Sequence, residues 1–231
     1  MIEKNFLKIY QIYFNKSQLS KLVYEPYLNN NCTPFFEASV MRDLIENDKH
    51  LDSRYFGILP PKFEEKKDWI NRHYSHHLQN AGKSKMLDLS SDHTMRKGIK
   101  SADVVSFTHQ IQLDSITSIE WMHKNIDVYF KEIMSKIGYD WRPAVFNHVI
   151  YSNLFIAKSE IYEMFIKEML APAMDVMLEM PELFGNAGYP KDLPKELKAK
   201  FNCEHYPYHS FVCERMISYY IHIHNLNCKH F

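Results

Sequence analysis

The stretch YFGILPPKF, residues Tyr55–Phe63, decides how the rest of the chain is interpreted. Its first five residues are aromatic or apolar apart from one glycine, which is typical of a buried strand. The proline pair ends that strand, because proline has no backbone N–H to donate to a sheet. The pattern therefore predicts a strand over Arg54–Leu59 that delivers a rigid loop carrying Lys62 to one edge of a sheet. A strand simply ended by prolines, with a solvated lysine, is the alternative interpretation.

Three further segments have the same character, since each is short, aromatic or β-branched, and bounded by polar or turn residues. They are Leu7–Phe14, Ala102–Phe107 and Asn153–Lys158. Apolar residues at helical spacing predict helices over Phe35–Asn47, Glu65–Asn80, Thr117–Gly138, the segment after Ser159, and Ser210–Asn225. Pro172 is expected to kink or split the fourth of these helices. Strands alternating with helices predict an α/β domain with a largely parallel sheet.

The chain of 231 residues is long enough for one sizeable core, and it contains neither a repeat nor a low-complexity linker. We therefore expect residues 1–231 to form a single α/β domain. The proline-rich segment 181–207 is predicted to be a long loop with about one turn of helix. Loops of that length often serve as lids or binding loops, so this one is a candidate lid or acceptor loop.

Charge and composition exclude several classes of protein. Lys plus Arg and Asp plus Glu are balanced at 28 each, so no global field attracts nucleic acid, and we expect no nucleic-acid partner. No apolar run approaches the roughly 18–20 residues that span a bilayer, and the first residues do not resemble a signal peptide. The cysteines Cys32, Cys203, Cys213 and Cys228 are widely spaced. Reduced thiols and a cytoplasmic location are expected.

Two histidine-rich stretches offer metal ligands. They are RHYSHH, with His73, His76 and His77, and the tail HIHNLNCKH, with His222, His224, Cys228 and His230. The histidines of the first share one helical face, where a solvated surface is more common than a zinc site. In the tail, His222 and His224 point to different sides of a helix. A polar chain end is therefore favoured over a metal site there.

Catalytic motifs of the common kinds are missing, but polar residues stand where apolar ones are expected. There is no G-x-S-x-G nucleophile, no G-x-G-x-x-G loop and no P-loop. Gln11 interrupts the first strand, Asp103 opens the third, and Glu214-Arg215 interrupt the last helix. A buried carboxylate is costly unless it is paired. Glu214 is thus either an ion-pair partner or a functional acid, and Asp103 either a strand-end acid or a functional one.

Short motifs along the chain resemble a bacterial glycosyltransferase-like family of the GT-A type, found in capsular and lipopolysaccharide gene clusters. The motifs are KIYQIY at Lys8–Tyr13, the pair Phe36-Glu37, the stretch Tyr55–Phe63, DVVSF at Asp103–Phe107, the unit beginning at Asn153, and FVCERMISYY at Phe211–Tyr220. Their order and spacing carry the resemblance, which covers about residues 7–225. It implies a nucleotide-diphospho-sugar transferase-like fold, with a mostly parallel sheet flanked by helices.

The resemblance also implies an activity and assigns roles. The protein would transfer a sugar from a nucleotide-diphosphate donor to a glycan or lipid-linked acceptor in surface polysaccharide synthesis, with peripheral membrane association left open. Gln11, Tyr13, Lys62, Asn153 and Arg215 would bind substrate, Glu214 or Glu37 would act as the base, and Asp103 would hold a metal ion or the ribose. Between the two candidate bases, Glu214 is preferred.

One motif departs from the family pattern. Metal-dependent members present an Asp-x-Asp pair, whereas ADVVSF supplies Asp103 alone, with Ser106 nearby and Asp114 too distant. A manganese or magnesium ion and catalytic activity are both left open. The alternatives are an inactive carbohydrate-binding or assembly protein of the same fold, and a helical interaction protein. The second would use Met169, Met174, Met177 and Met180 as a partner surface.

Overall fold

A computed structural model describes residues 5–29, 33–73, 99–111, 123–141, 145–189 and 191–230. Its centre is a sheet of six strands in the order β2-β1-β3-β5-β4-β6. The strands are β1 (Asn5–Tyr13), β2 (Glu25–Leu28), β3 (Ser53–Leu59), β4 (Val104–Ser106), β5 (Phe155–Lys158) and β6 (Cys228–His230). The sheet is mixed, because β5 runs antiparallel to its neighbours β3 and β4, whereas the other pairings are parallel.

These directions define two edges of the sheet. The carboxyl edge is where β1, β2, β3, β4 and β6 end, and where the antiparallel β5 begins. The amino edge is the opposite one. Ligands of open α/β sheets bind beyond the carboxyl ends of the strands. The residues following Leu59 and those preceding Phe155 therefore lie at the edge where a ligand is expected.

Helices flank the sheet. They are α1 (Glu37–Glu46), α2 (Phe63–His73), α3 (Ile126–Lys136), α4 (Ser159–Phe165), α5 (Ala171–Leu178), α6 (Lys195–Phe201) and α7 (Tyr208–Ile223), with 3-10 turns at Lys16–Lys21 and Pro181–Phe184. A π-helical turn, Ile166–Leu170, joins α4 to α5. Pro172 lies in the first turn of α5. Proline has no backbone N–H to donate, and the wider π turn before it accommodates the hydrogen bond that is missing there.

The four predicted strands are confirmed to within two residues at every end, and the α/β class is confirmed. Two strands were missed. β2 contains Pro26 and is mostly exposed, so it lacks the apolar alternation of a strand. β6 is three residues long and lies in the tail that was interpreted as a polar chain end. That interpretation is wrong for Cys228–His230, which pair with β4.

Several helix predictions extend beyond the described residues. Residues 74–80 of the predicted second helix and 117–122 of the third lie outside them, as do His76, His77 and Asp114. The proline-rich segment is more ordered than expected, since it contains a 3-10 turn and α6. The helical interaction protein is contradicted by the sheet, and its four methionines are buried in the core. Among the described residues, no helix is both long and apolar enough to cross a bilayer.

One glycine is required by the packing of the sheet. A Cβ at Gly57 would lie 2.4 Å from Cγ2 of Ile156 on the adjacent strand. The glycine of YFGIL therefore lets β5 pack closely against β3. This pairing places the start of β5 beside the loop that leaves β3.

Candidate functional site

Gln11 fixes two segments at the carboxyl edge. It lies near the end of β1 and is only 2% exposed. Its side-chain nitrogen donates to the carbonyls of Pro60 and Pro61 at 3.3 and 3.4 Å, and its oxygen accepts from the backbone N–H groups of Val23 and Tyr24 at 2.8 and 3.3 Å. All hydrogen-bonding groups of this amide are therefore used by the backbone. Gln11 positions the loop after β3 rather than offering a free group to a ligand.

The loop that Gln11 holds leads directly into α2 and carries two lysines. Lys62 is exposed and its Nζ lies 3.3 Å from the carboxylate of Glu65, a surface pair of the kind that contributes little. Lys66, one helical turn later, points toward α1, where its Nζ lies 3.3 Å from Oε1 of Glu37. Tyr13, at the end of β1, is half-buried at the same edge.

Glu37, Lys66 and Glu214 form one group, which we call the Lys66 cluster. Glu37 begins α1, Lys66 belongs to α2 and Glu214 to α7, so three helices converge on it. The Lys66 side chain is about one third exposed, and the Glu37 side chain 15%. Both candidate bases from the sequence are thus brought together, with a lysine between them that sequence reasoning did not select.

The cluster shifts the pKa of its members. Burial raises the pKa of Glu214, and the charge of Glu37 raises it further, against the opposing effects of Lys66, Arg215 and a backbone hydrogen bond from Ser152. Burial alone would lower the pKa of Lys66, but the two carboxylates outweigh it and the pKa is raised. Lys66 therefore stays charged, while Glu214 holds its proton to higher pH than an ordinary glutamate. A carboxyl group with a raised pKa suits proton transfer near neutral pH.

Strained backbone surrounds the same cluster. Phe36, just before Glu37, has φ +48° and ψ −113°. Ser152 and Asn153, just before β5, have φ of +56° and +55°. Residues other than glycine rarely adopt such backbone angles, and backbone strain of this kind is found most often at functional sites. Asn153 is 6% exposed and lies at the carboxyl edge because β5 is antiparallel; in the parallel sheet expected from the sequence it would lie at the amino edge.

Two tyrosines border the Lys66 cluster and were not selected from the sequence. Tyr189 interacts electrostatically with Lys66, and Tyr206 with Glu37 and Lys66. Their ring centroids are 5.0 Å apart, and Tyr206 lies 5.8 Å from the ring of Phe36. Both tyrosines belong to the proline-rich segment 181–207. The sequence analysis identified this segment as a candidate acceptor loop but did not select its tyrosines. The segment itself was therefore the feature that could have pointed to them.

Arg215 lies on the inner side of α7. It is 2% exposed, and its guanidinium donates to the carbonyl of Phe211 one turn earlier. Burial, with the charge of Arg215 acting in the same direction, lowers the pKa of His123 to about 4. The His123 ring stacks on Phe211 at 3.9 Å and its Nδ1 lies 2.7 Å from the carbonyl oxygen of Ala187. Arg215 is thus buried, bonded to its own helix, and close enough to Glu214 to affect the pKa of that carboxyl group.

Asp103 lies at the other edge and is not brought together with the residues above. It precedes β4, so it stands at the amino edge, roughly 15 Å along the strands from the proline loop. One of its oxygens lies 2.7 Å from Nζ of Lys158, and the other accepts from the backbone N–H of Asn227 at 3.0 Å. We call Asp103, Lys158 and Asn227 the Asp103 clasp, because they tie β4, β5 and the chain entering β6.

The Asp103 clasp does not fit a manganese or magnesium site that serves the Lys66 cluster. Divalent cations of this type need several oxygen ligands. Asp103 supplies a single carboxylate whose two oxygens are already bonded, and the nearest strand-end partner, Ser106, is buried at the opposite end of β4 and hydrogen-bonds Thr108. No step of the chemistry discussed below is assigned to such an ion.

Two surface depressions elsewhere contain none of the predicted site residues. One, of about 300 Å³, is bordered by α3 and by Gly138–Trp141. The other, of about 450 Å³, lies between Phe35, Arg42 and Met174 and is mostly apolar. Glu37, Lys66, Glu214 and the positive-φ residues Phe36, Ser152 and Asn153 lie outside both depressions. Comparisons with protein-family models, curated proteins and solved structures gave no match to this chain.

Proposed function

We propose that this protein is a GT-A-type glycosyltransferase that moves a sugar from a nucleotide-diphosphate donor to a glycan or lipid-linked acceptor in bacterial surface polysaccharide synthesis. The observation that carries the proposal is the Lys66 cluster at the carboxyl edge of the sheet. There Glu214, a carboxyl group with a raised pKa, lies beside Glu37 and Lys66. The motif order along the chain supports the same conclusion.

Glu214 is proposed as the base. An acceptor hydroxyl must lose its proton as it attacks the sugar, and a carboxylate with a pKa raised toward the working pH is suited to take it. Burial and Glu37 raise that pKa, while Lys66 keeps the ionised form accessible by opposing them. Glu37, hydrogen-bonded to Lys66, positions the lysine between the two acids.

The two lysines of the β3 loop and α2 are proposed to offset the charge of the leaving diphosphate. Departure of a nucleotide diphosphate builds negative charge, which preorganised cations stabilise. Lys62 is exposed, and its surface pair with Glu65 is weak enough to be exchanged for a phosphate. The tyrosine pair Tyr189 and Tyr206 offers apolar faces with hydroxyl tips, which suit a sugar or a base.

A thermal-shift panel tests the donor. UDP, GDP, CMP and their common sugars are added to the wild-type chain, each with and without manganese. A ligand present at a hundred times its dissociation constant adds about 2.7 kcal/mol to the free energy of unfolding. We expect one nucleotide series to shift the melting temperature without manganese. The absence of any shift would contradict the proposal, and a manganese-dependent shift lost in Asp103→Asn would contradict our interpretation of Asp103.

A matched pair of lysine variants tests the binding loop. Lys62→Ala should weaken nucleotide binding in a calorimetric titration without changing the melting temperature of the free protein. Lys167→Ala is the control, since the two side chains are 59% and 60% exposed and each pairs with a glutamate three or four residues away in the chain. Equal affinity in both variants would remove Lys62 from the site.

One observation favours a second function, a catalytically inactive carbohydrate-binding or assembly protein of the same fold. Asp103, the acid that the resemblance assigns to the metal, is used in the clasp at the amino edge. Donor hydrolysis without an acceptor separates the two functions, because an active transferase leaks donor to water. Binding of a glycan with no hydrolysis of any sugar nucleotide would favour the inactive protein.

A further inference from the structure

The tail of the chain and the segment before β5 bring three metal-binding side chains together, far from the Lys66 cluster. Nδ1 or Nε2 of His148, Sγ of Cys228 and a ring nitrogen of His230 all lie within 4.8 Å of one another. Cys228 is 8% exposed and the two histidines are half-buried. The group stands at the β6 side of the sheet, three strand spacings or about 14 Å from β3.

The fold explains why these three residues meet. Cys228 and His230 are two apart on β6, so their side chains project from the same face of the strand. His148 is held beside them because its neighbours are fixed. The N–H of Val149 bonds to the carbonyl of Ile111 at 3.1 Å, and the N–H of Ile150 bonds to Oγ of Ser218 at 2.8 Å.

The hydrogen bonding of His230 leaves one ring nitrogen as a lone-pair donor to the group. Its Nδ1 lies 3.2 Å from the carbonyl oxygen of Thr108, which can only accept, so Nδ1 carries the proton. Nε2 is then unprotonated, and it faces Nδ1 of His148 at 3.0 Å and Sγ of Cys228 at 3.5 Å. Histidines that bind metals almost always donate their other N–H to a carbonyl or carboxylate in this way.

The spacing of the ligand atoms fits a tetrahedral ion. With Zn–N of about 2.0–2.1 Å and Zn–S of about 2.3 Å, neighbouring ligand atoms are separated by about 3.3–3.6 Å. The observed separations from His230 Nε2 are 3.0 and 3.5 Å, and all three ligand atoms lie within 4.8 Å of one another, so a side-chain shift of up to about 1 Å brings them around one ion. Two imidazoles and one thiolate form a ligand set that suits zinc and does not suit magnesium or calcium.

We propose that His148, Cys228 and His230 bind a zinc ion, with the fourth position open to water or an added anion. On binding, the Cys228 thiol gives up its proton to solvent and the sulfur coordinates as thiolate, while each imidazole coordinates through one neutral nitrogen. The ion would join the C-terminal strand to the segment leading into β5. This site is independent of the proposed transferase chemistry, and either can fail without the other.

Cobalt(II) titration of the metal-free protein tests the site. The chain is produced without a histidine tag, stripped with EDTA, desalted and titrated with Co²⁺. We expect a thiolate-to-cobalt charge-transfer band and the intense visible bands of a tetrahedral ion, saturating at one equivalent and removed by Zn²⁺. No such bands in the wild-type chain would mean a hydrogen-bonded cluster only and would overturn the proposal.

Matched variants assign the ligands. Cys228→Ser should abolish the charge-transfer band, and His148→Ala should weaken Co²⁺ binding at least tenfold. Cys203→Ser and His224→Ala are the controls, because Cys203 is a free thiol elsewhere and His224 is exposed in the same tail. Both controls should bind as the wild type does. A band that survives in Cys228→Ser, or disappears in Cys203→Ser, would overturn the assignment.

A second measurement covers the case in which a ligand variant fails to fold. Wild-type protein is alkylated with iodoacetamide with and without one equivalent of Zn²⁺, and the labelled peptides are quantified by mass spectrometry. Zinc should slow labelling of Cys228 at least tenfold and leave Cys203 unchanged. Equal labelling of Cys228 in both samples would contradict the site.

Discussion

The two edges of the sheet use charged residues in opposite ways. In the Asp103 clasp one carboxylate meets one lysine and one backbone N–H, and Lys158 and Asn227 are also tied to Asp103 through backbone bonds of 2.8–2.9 Å. In the Lys66 cluster two carboxylates share one lysine, so the charges do not balance. The clasp is satisfied and joins strands, whereas the cluster retains a carboxyl group whose pKa is raised. The two edges therefore differ in how their carboxyl groups are paired, since both edges contain acids.

The largest expected effect comes from removing the proposed base. Glu214→Gln should lower sugar-nucleotide turnover by about 10²–10⁴-fold, the usual contribution of a general base, with the chain still folded. Asp103→Asn is the matched acid-to-amide change at the other edge and should retain most of the activity. Turnover of both variants is measured by release of nucleotide diphosphate. The reverse result, with Asp103→Asn inactive, would exchange the roles assigned to the two edges.

Removing the side-chain hydrogen bonds of Gln11 should have the largest effect on the free energy of unfolding. Gln11→Leu leaves two backbone carbonyls and two N–H groups without partners at a buried position, at a cost of about 2–4 kcal/mol in the free energy of unfolding. Gln18→Leu is the control, since Gln18 also accepts from two backbone N–H groups but is exposed, where water replaces it. Urea unfolding of both variants gives the comparison. Equal losses would show that the position of the β3 loop does not depend on Gln11.

The lysine at the centre of the cluster is the next test. Lys66→Met leaves two carboxylates without their shared cation, so we expect a loss of about 1–2 kcal/mol, because the lysine is partly exposed. The pKa of Glu214 should rise further, which shifts the rising limb of the pH–activity profile to higher pH. The double variant Lys66→Met/Glu37→Gln should recover part of both effects, since Glu37 raises the same pKa. Purely additive losses would indicate that the three residues do not act as one group.

The sequence predicted the strands better than it predicted how charges meet. Strands such as Arg54–Leu59 are recognisable because their side chains are uniformly apolar, and a buried strand needs little else. Glu37 and Glu214 were both selected as candidate bases, but Lys66 was not, because it sits in a charged helix start, FEEKKDW, where a lysine is unremarkable. Its partners come from α1 and α7, which only the fold brings near.

Asp103 and the tail also show that the sequence does not predict which residues the fold brings together. Asp103 was assigned by position at a strand, but the pattern does not say at which end of the strand the acid stands relative to the other site residues. For the tail, His222 and His224 were weighed as a pair on a helix. The residues that meet are Cys228 and His230, because α7 ends at Ile223 and a strand follows. A three-residue strand is too short to be recognised from its pattern.

The smallest expected effect is on the pH dependence of the free energy of unfolding. It tests the comparison most directly, because variants at the two edges should change this dependence with opposite signs. Burial lowers the pKa of His123 and of His209 to about 4, so both destabilise the folded chain in every variant as the pH falls below about 6.5. Only differences between a variant and the wild type are therefore compared. These differences are expected to be on the order of 1 kcal/mol or less.

For Glu214 the folded pKa is raised above the ordinary 4.5, so the folded chain holds a proton that the unfolded chain releases, and stability falls as pH rises through the raised pKa. Glu214→Gln should thus gain stability relative to wild type above about pH 4.5.

For Asp103, burial alone would raise the pKa, but Lys158 and the Asn227 N–H lower it below 3.8. Ionised Asp103 therefore stabilises the folded chain above pH 3.8, and this stabilisation is lost as the pH falls through the lowered pKa. Asp103→Asn lacks it, so the variant should lose stability relative to wild type as the pH rises from the lowered pKa to 3.8. Urea unfolding across pH 3–8 measures both differences, and slopes of the same sign would mean that the two edges do not differ in the way the structure indicates.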